Sequence, residues 1–363
     1  MKTYKNLYGE ICSFENLYSA YLKARKGKRY RNEILEFNYN LEENLLQLRT
    51  ELINQTYRHG GYREFTVCDS KKRLIKAAPF RDRIVHHALC NIIETIFEKE
   101  FIYDSYACRK GKGTHKAIMR LEKFWQSAED SQGQEKKRLY CLQCDVSKYF
   151  DSINHEILLA IIEKNIVDGK TLCLIREIID SDWHKRVFKN LFEYESAGIP
   201  IGNLTSQLFA NVYLNELDGF VKHTLREKFY VRYMDDFLIL SFDKGGLQNQ
   251  KREIKEFLAD NLALTLHPKK ANIFPVNKGI CFLGYRIFRQ YRLLRKSTVK
   301  RFVKRTKRYQ GRVEAQIMTN EKFDDSVRSW FSYAQFGNTR GLLGSLRLIT
   351  FSAKTLKYES LIL

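Results

Sequence analysis

The stretch RYMDDFLILSF, residues 232–242, places two adjacent carboxylates, Asp235 and Asp236, between apolar and aromatic residues. The flanking residues predict two short β-strands. Successive side chains of a strand point to opposite faces, so two adjacent acids do not fit a regular apolar strand. We therefore predict a β-hairpin whose turn carries both acids. Taken alone, such a pair is also compatible with a plain turn that has no chemical role.

A third acid stands in a matching context 90 positions before Asp235. Asp145 ends the apolar segment LYCLQCD, residues 139–145. A carboxylate at the end of an apolar strand is costly unless it binds something cationic. Antiparallel neighbours could bring Asp145 beside the turn, where the carboxylates would share two metal ions roughly 4 Å apart. Mg²⁺ fits because it needs few carboxylates when substrate phosphates complete its shell, and Mn²⁺ is an alternative.

The charge of the chain predicts a polyanionic partner. Its 363 residues include 63 Lys and Arg against 42 Asp and Glu, a formal net charge of +21. Residues 286–312 hold 12 Lys and Arg and no acid, and a second basic cluster covers residues 23–31. Basic runs interleaved with Tyr and Phe are typical of nucleic-acid binding. A solvated face is the alternative, whereas a membrane surface is disfavoured because the run lacks a continuous apolar helical face.

Composition predicts a folded protein of the cytoplasm. Hydrophobic residues make up 44% of the chain and aromatic residues 13%, as in globular proteins. No apolar run approaches the roughly 20 residues that cross a bilayer. The first residues lack the pattern of a secretory signal, and eight scattered cysteines are typical of a reducing compartment.

The order of helical and strand-like segments predicts the fold class. Helical spacing covers most of residues 1–60 and returns at residues 82–101 and 247–262, whereas short strand-like segments lie between these blocks. The last 70 residues are basic and are predicted to be helical. We expect an α+β protein whose antiparallel sheet is covered on one side by helices.

Several motifs, in order, resemble those of reverse transcriptases, particularly the group II intron-like superfamily. The resemblance begins with YMDD (233–236) after an apolar strand and DVSKYF (145–150) upstream of it. Further segments resemble the finger motifs, the template-and-nucleotide loop, the motif behind the palm and the primer grip. They are PFRDRIVHHAL (79–89), SYACRKGKGTHKAI (105–118), GIPIGNLTSQLFANVYL (198–214), LHPKKANI (266–273) and GICFLGYRI (279–287). The resemblance covers about residues 60 to 340.

The resemblance implies a right-hand polymerase fold with an antiparallel palm sheet and a helical thumb. The implied domains are an N-terminal helical extension (1–60), fingers (61–140), a palm (141–290) with finger insertions around residues 155–195, and a basic thumb (291–363). The implied activity is RNA-directed DNA polymerisation. An RNA-binding scaffold with an inactive polymerase fold is the rival from another class, and the retention of all three acids and of Phe150 argues against it.

The same resemblance assigns the catalytic centre. Asp145, Asp235 and Asp236 would be metal ligands, with Val146 in the same metal site. Phe150 would be the steric gate that excludes a ribose 2′-hydroxyl and so favours deoxynucleotides. The alternative for Phe150 is an aromatic core residue at a helix start.

Basic residues of three motifs are candidates for the triphosphate and the leaving group. Lys72 and Arg73 would grip the triphosphate, since both side chains bind phosphate oxygens, and Arg81 is a competing candidate. Lys270, or its neighbour Lys269, would protonate the pyrophosphate. For each of these cations an exposed surface residue is the alternative.

The nucleotide loop departs from the usual family pattern. Most reverse transcriptases carry Gln-Gly there and Ser-Pro after it, whereas this chain has Ile201-Gly202 and Ser206-Gln207. Such loops resemble the enzymes of diversity-generating retroelements, which copy a template RNA into cDNA with frequent errors at adenines. Ile201 offers only apolar contact, which discriminates poorly between substrates. The alternative is that Ile201 only packs the pocket wall.

The resemblance also implies partners. These are a structured template RNA with its cDNA or primer, deoxynucleoside triphosphates, and a small basic accessory protein that forms an oligomer, in a prokaryotic or phage-encoded system. The residues expected to contact nucleic acid are Gly279, Gly284, Tyr285, Arg295, Lys296, Lys300, Arg301, Lys304 and Arg305. An antiviral-defence or group II intron-like reverse transcriptase is the alternative within the class.

Overall fold

The structure is a computed structural model that describes residues 2–68, 72–132, 137–182 and 197–350. Residues 183–195 of the predicted finger insertion and residues 351–363 of the predicted thumb lie outside the described residues. The chain packs as two compact units. The first comprises residues 1–113, 142–239 and 245–272, and the second comprises residues 114–141, 240–244 and the chain from residue 273 onward. The domain boundaries expected at residues 60, 140 and 290 stay predictions.

Helices make up most of the first unit. In chain order they are α1 (Tyr8–Ile11), α2 (Phe14–Ala24), α3 (Asn32–Tyr39), α4 (Leu41–Ile53), α5 (Phe80–Glu100), α7 (Tyr149–Ser152), α8 (His155–Glu163), α9 (Gly169–Asp180) and α10 (Leu204–Gly219), continued by a π-helix at Phe220–Thr224. Helix α2 begins where the Ser13 side chain accepts a hydrogen bond from the Asn16 N–H, as an N-cap residue does. Helix α5 is packed by α2 and α10 and forms the centre of the unit.

The sheets are antiparallel wherever their pairing is defined. β1 (Arg63–Cys68) pairs with β2 (Lys72–Ala77). A four-stranded sheet has the order β4 (Tyr230–Tyr233), β5 (Asp236–Ser241), β3 (Tyr140–Asp145) and β6 (Asn272–Pro275). β4 and β5 are antiparallel and pair Tyr233 with Asp236. The α+β class and the hairpin are therefore confirmed.

One strand of the sheet is buried more completely than the prediction of a sheet covered on one side by helices implies. The four consecutive residues Phe237–Leu240 of β5 are all at most 1% exposed, so both faces of this strand are covered. The reason is in the sequence: FLIL is a continuous apolar run, which is typical of a strand buried on both faces, and it does not alternate with polar residues.

The second unit combines a small sheet with basic helices. Its elements are α6 (Thr114–Asp130), a 3-10 turn (Val276–Lys278), β7 (Ile280–Phe282), β8 (Tyr285–Ile287), β9 (Arg292–Leu294), α12 (Lys296–Glu314), α13 (Asn320–Gln335) and α14 (Arg340–Thr350), while α11 (Lys244–Leu262) belongs almost entirely to the first unit. Phe302 of α12 stacks on Trp330 of α13 with ring centroids 3.7 Å apart. The helical prediction for the basic C-terminal segment is confirmed through Thr350. Over the described ranges, no helix is both long and apolar enough to cross a bilayer.

Candidate active site

The two acids of the opening motif occupy different positions in the hairpin. Tyr233 pairs with Asp236 across the strands, so the turn consists of Met234 and Asp235, and Asp236 is the first residue of β5. Met234 has φ 57°, a left-handed conformation that is uncommon for a residue other than glycine. This turn breaks the strand alternation and allows both acids to belong to one site.

Asp236 is the more deeply placed acid. Its Oδ1 accepts a hydrogen bond from Gln143 Nε2 at 3.3 Å. Burial raises the pKa of Asp236 to about 7, and the negative charges of Asp145 and Asp235 add to this effect. The pKa of Asp235 is also raised, first by burial and then by Asp145, whereas Lys270 and Arg73 act to lower it. The negative charge of Asp145 therefore acts on both acids of the hairpin, and a bound cation would offset it.

Asp145 already has a cationic neighbour. Lys270 Nζ lies 2.6 Å from Asp145 Oδ2, and the His267 N–H donates to the Asp145 carbonyl oxygen at 2.8 Å. The Lys269 N–H instead bonds Nδ1 of His267. Of the two candidate lysines, the structure thus brings the side chain of Lys270 to the carboxylates.

Val146 follows Asp145 into a short antiparallel bridge with Leu266. The hydrogen bonds on either side of this pair are made by neighbours, Ser147 N–H to Thr265 O at 2.9 Å and His267 N–H to Asp145 O. In such a non-hydrogen-bonded pair, the carbonyl of Val146 points away from Leu266. This geometry is compatible with a backbone ligand at Val146, and its role stays a prediction.

The chemistry of this acid set fits a divalent cation of the Mg²⁺ class. Carboxylate oxygens are the hard ligands that Mg²⁺ prefers, and it is commonly held by one or two carboxylates together with substrate phosphates. Within the described part of the chain, no three His, Cys, Asp or Glu side chains stand at the spacing of a complete metal site. The role of the three acids as metal ligands stays a prediction.

Phe150 lies five residues after Asp145, in the short helix α7. Its neighbour Tyr149 is buried, and the Tyr149 hydroxyl donates to the Ala210 carbonyl. Phe150 is half-buried, and its carbonyl accepts a hydrogen bond from the Ile199 N–H at 2.8 Å. Tyr149 is therefore the more deeply buried of the two rings, and the role of Phe150 as a steric gate stays a prediction.

The nucleotide loop is attached to strand β2 through its backbone. The Lys76 N–H donates to the Ile201 carbonyl at 2.9 Å. Gly202 has φ +134°, and a Cβ there would lie 2.8 Å from the Lys76 carbonyl oxygen, so only glycine fits this approach. The side chain of Ile201 is half-buried, and Gln207 is exposed on α10.

The candidate triphosphate cations divide into two groups. Lys72 and Arg73 are exposed on β2, and the charge of Arg73 acts on Asp235. Arg81 instead forms an ion pair with Glu51 and lies over the Tyr57 ring, 5.2 Å from its centroid. The structure therefore favours Arg73 over Arg81 for the nucleotide.

A buried ion pair beside the turn is absent from the sequence prediction. Arg232 and Asp218 are both completely buried, and Arg232 Nη2 lies 2.6 Å from Asp218 Oδ2. The signal in the sequence was an arginine within YVRY (230–233), a strand that is otherwise apolar and aromatic.

The expected nucleic-acid contacts of the second unit are of two kinds. Tyr285 is fully buried, and its hydroxyl donates to the Tyr333 carbonyl at 2.6 Å, so the structure corrects its assignment as a side-chain contact. Gly279 and Gly284 have positive φ, and a Cβ at either position would collide with Phe288 or Tyr333 respectively. Of the helix residues, Arg305 is half-buried, whereas the other five are exposed: Arg295, Lys296, Lys300, Arg301 and Lys304.

Comparisons with known proteins find a matching family and several relatives. The family model described as reverse transcriptase (RNA-dependent DNA polymerase) matches residues 64–287. Protein YkfC of Escherichia coli is 27% identical over 277 residues, which cover 67% of this chain and 71% of that protein. The group II intron-encoded protein LtrA of Lactococcus lactis is 25% identical over 401 aligned positions, covering 88% of this chain and 63% of LtrA.

A structural likeness is more distant. Telomerase from Candida albicans, solved with a fragment of telomeric RNA, aligns with a TM-score of 0.45 and 12% identity over 67% of this chain and 47% of that chain. The chain thus spans about two-thirds of the two bacterial relatives and about half of the telomerase.

Proposed function

This chain belongs to the reverse transcriptase family, and from that membership we propose that it extends a DNA primer on an RNA template by two-metal nucleotidyl transfer. The α+β architecture with its antiparallel hairpin is that of a right-hand polymerase. The observation that carries the proposal is the shared environment of Asp145, Asp235 and Asp236 with Lys270 beside them.

Each residue of the site has its own proposed role in the reaction. Asp145 and Asp235 would hold the divalent cations, with Asp236 and the carbonyl of Val146 supporting the same site. When bound, the cations would lower the pKa of the primer 3′-hydroxyl and offset charge on the pyrophosphate. Arg73 would bind the triphosphate through a guanidinium that stays charged at any working pH.

Two further side chains act on the substrate directly. The half-exposed ring of Phe150 would exclude a 2′-hydroxyl by steric contact. Lys270 carries an ammonium that could donate a proton to the leaving pyrophosphate, as a general acid does. For that step Lys270 must move away from Asp145, which then becomes available to a cation.

The experiment is primer extension on a primed RNA with a matched pair of variants. Asp235→Ala should abolish deoxynucleotide incorporation and leave RNA binding intact. Asp260→Ala, which removes an exposed acid of α11, should behave as wild type. Residual synthesis by Asp235→Ala would remove Asp235 from the metal site, and a wild-type protein inactive on primed RNA would overturn the proposed activity.

We further propose that the cDNA is made with frequent errors at template adenines, as in a diversity-generating retroelement. The support is the half-buried apolar side chain at Ile201, in a loop held to β2 by its backbone. The partners would then be a structured template RNA and a small basic oligomeric accessory protein. The alternative is a group II intron-like enzyme without mutagenesis, and the similarity to LtrA favours that candidate.

Sequencing cDNA copied from a mixed-sequence RNA separates these two candidates. The mutagenic candidate predicts errors concentrated at adenines, and Ile201→Gln should lower them by supplying an amide that can hydrogen-bond the nucleotide. Ile201→Val, which stays apolar, should keep the error pattern. Errors spread evenly over four template bases at an ordinary rate would support the group II intron-like candidate.

A further inference from the structure

Arg232 connects the catalytic turn to the interior of the first unit. Its guanidinium donates from Nε and Nη2 to Asp218, at 2.7 and 2.6 Å. From Nη1 it donates to Asn211 Oδ1 at 3.1 Å and to the Met234 carbonyl at 3.2 Å. One buried side chain therefore connects helix α10, which carries Asn211 and Asp218, to the residue that precedes Asp235.

The surroundings hold the guanidinium in one place. The Tyr230 hydroxyl donates to Asp218 Oδ1 at 2.7 Å, so the carboxylate is bonded from two residues. The backbone of Arg232 is fixed as well, because its N–H donates to the Asp104 carbonyl and its carbonyl accepts from the Tyr106 N–H, both at 3.0 Å. Neither end of the side chain can shift without breaking several hydrogen bonds.

Stability alone is a weak reason for this pair. Removing two charges from water costs several kcal/mol for each ion, and apolar replacements of similar volume are often neutral or stabilising. The pair also lies directly beside a strained backbone, since Met234 adopts φ 57°, a conformation that persists only where the surroundings enforce it. The pairing of Tyr233 with Asp236 closes this turn, and Arg232 contacts it directly, because it bonds the Met234 carbonyl, which belongs to the peptide plane entering Asp235.

We propose that Arg232, held by Asp218 and Asn211, is a positioning residue that orients the Met234–Asp235 peptide and thereby fixes the Asp235 carboxylate for a divalent cation. The inference rests on the proposed polymerase function and deepens it, since it says what makes the metal site rigid. Arg232 itself touches neither substrate nor metal.

The test replaces the ion pair with apolar residues. The double variant Arg232→Met/Asp218→Leu leaves no unpaired buried charge, but the Met234 carbonyl loses its donor. We expect a cooperative fold and unchanged binding of an RNA–DNA duplex. The Mg²⁺ concentration for half-maximal extension should rise about tenfold, and kcat should fall on the order of 10- to 100-fold, the effect of a displacement near 1 Å. The rise in Tm that Mg²⁺ gives the wild type should shrink, a readout that needs no catalysis.

Two further variants keep the inference falsifiable. Arg232→Lys keeps the buried charge, but a single ammonium cannot bond both Asp218 and the Met234 carbonyl as the planar guanidinium does. The Mg²⁺ dependence of this variant should therefore shift in the same direction, and it remains a test even if the double variant does not fold. Tyr230→Phe removes one hydrogen bond to Asp218 and leaves the bond from Arg232 to the Met234 carbonyl, so its shift in Mg²⁺ dependence should be much smaller than that of the Arg232 variants.

The outcomes separate the inference from the activity. A folded Arg232 variant with the wild-type Mg²⁺ midpoint and wild-type Mg²⁺-dependent Tm overturns the positioning role. A shift of equal size in Tyr230→Phe also overturns it, because the effect would then follow general loosening of the core. A wild-type protein that extends no primer overturns the polymerase proposal, while the Tm comparison still tests the positioning of Asp235.

Discussion

Lys270 Nζ lies 2.6 Å from Asp145 Oδ2, so an ammonium group already occupies one oxygen of a carboxylate that is proposed to bind a divalent cation. The lysine and the cation therefore compete for Asp145. The lysine is also the proposed proton donor, and these two roles have opposite consequences for a variant that lacks the charge.

Lys270→Gln is expected to bind Mg²⁺ more tightly and to react more slowly. Loss of the competing ammonium should lower the Mg²⁺ concentration for half-maximal extension. Loss of the general acid should reduce single-nucleotide incorporation at saturating Mg²⁺ by about 100-fold. The control is Lys269→Gln, because Lys269 is the adjacent, exposed lysine. Equal effects of the two variants would contradict the assignment of Lys270.

The pKa of Asp236 predicts how the metal-free protein responds to pH. Its folded-state pKa of about 7 lies above the value of about 3.9 in an unfolded chain. The folded state thus holds the proton more tightly, so this contribution to stability is complete below about pH 4 and is lost as pH rises toward 7. Asp236→Asn should remove this dependence and raise the free energy of unfolding at pH 8 by a few kcal/mol, on the order that such a shift implies.

Thermal unfolding between pH 5.5 and 8.5 checks this, with and without Mg²⁺. Mg²⁺ competes with the proton on Asp236, so the wild type should gain more stability from Mg²⁺ at pH 8 than at pH 6. An Asp236→Asn protein that is less stable than wild type at pH 8 without metal would show that the ionised Asp236 carboxylate does not destabilise the folded state.

Phe150→Ala should admit ribonucleotides. The half-exposed ring of Phe150 is the proposed steric barrier to a 2′-hydroxyl, and loss of such a contact changes discrimination by roughly 10- to 200-fold. Incorporation of each deoxynucleotide and its ribonucleotide on the same primed RNA measures this ratio. Tyr149→Phe serves as the neighbouring control, since it removes only the buried hydroxyl bond to Ala210 and should leave sugar selectivity unchanged.

Gly202→Ala should disturb both the fold and nucleotide binding. The added Cβ would lie 2.8 Å from the Lys76 carbonyl oxygen at a φ of +134°, and such strain costs roughly 1–3 kcal/mol. The loop would be pushed from β2, which carries Arg73, so the KM for deoxynucleotides should rise. Gly169→Ala is the control, because a Cβ at Gly169 meets no atom within 4 Å. Similar losses of Tm in both variants would contradict the close approach.

The sequence was sufficient for features that depend on local pattern. The hairpin was predicted from two adjacent acids between two apolar, strand-like segments, and the structure confirms it, with Asp235 in the turn and Asp236, opposite Tyr233, as the first residue of β5. The strand that ends at Asp145 was predicted in the same way, because an apolar run ending in an acid is visible without any partner.

Features that depend on distant partners could not be predicted. Arg81 and Arg73 are equally basic on paper, and only the fold shows that Arg81 is bound to Glu51, which lies 30 residues away. Tyr285 was expected to contact nucleic acid on the ground of resemblance alone, whereas the structure buries its ring against Tyr333. The partner of Arg232 is Asp218, on a helix whose packing no periodicity specifies.

The bond between Lys76 N–H and the Ile201 carbonyl separates two properties of the nucleotide loop. The attachment to β2 uses only main-chain atoms, so it is indifferent to which side chain residue 201 carries. Copying accuracy could therefore drift or be selected through that side chain while the loop keeps its place. The side chain at position 201 can thus vary while the loop backbone keeps its position. If that side chain sets copying accuracy as proposed, a graded series of substitutions there should yield enzymes that differ in error rate and keep the same fold.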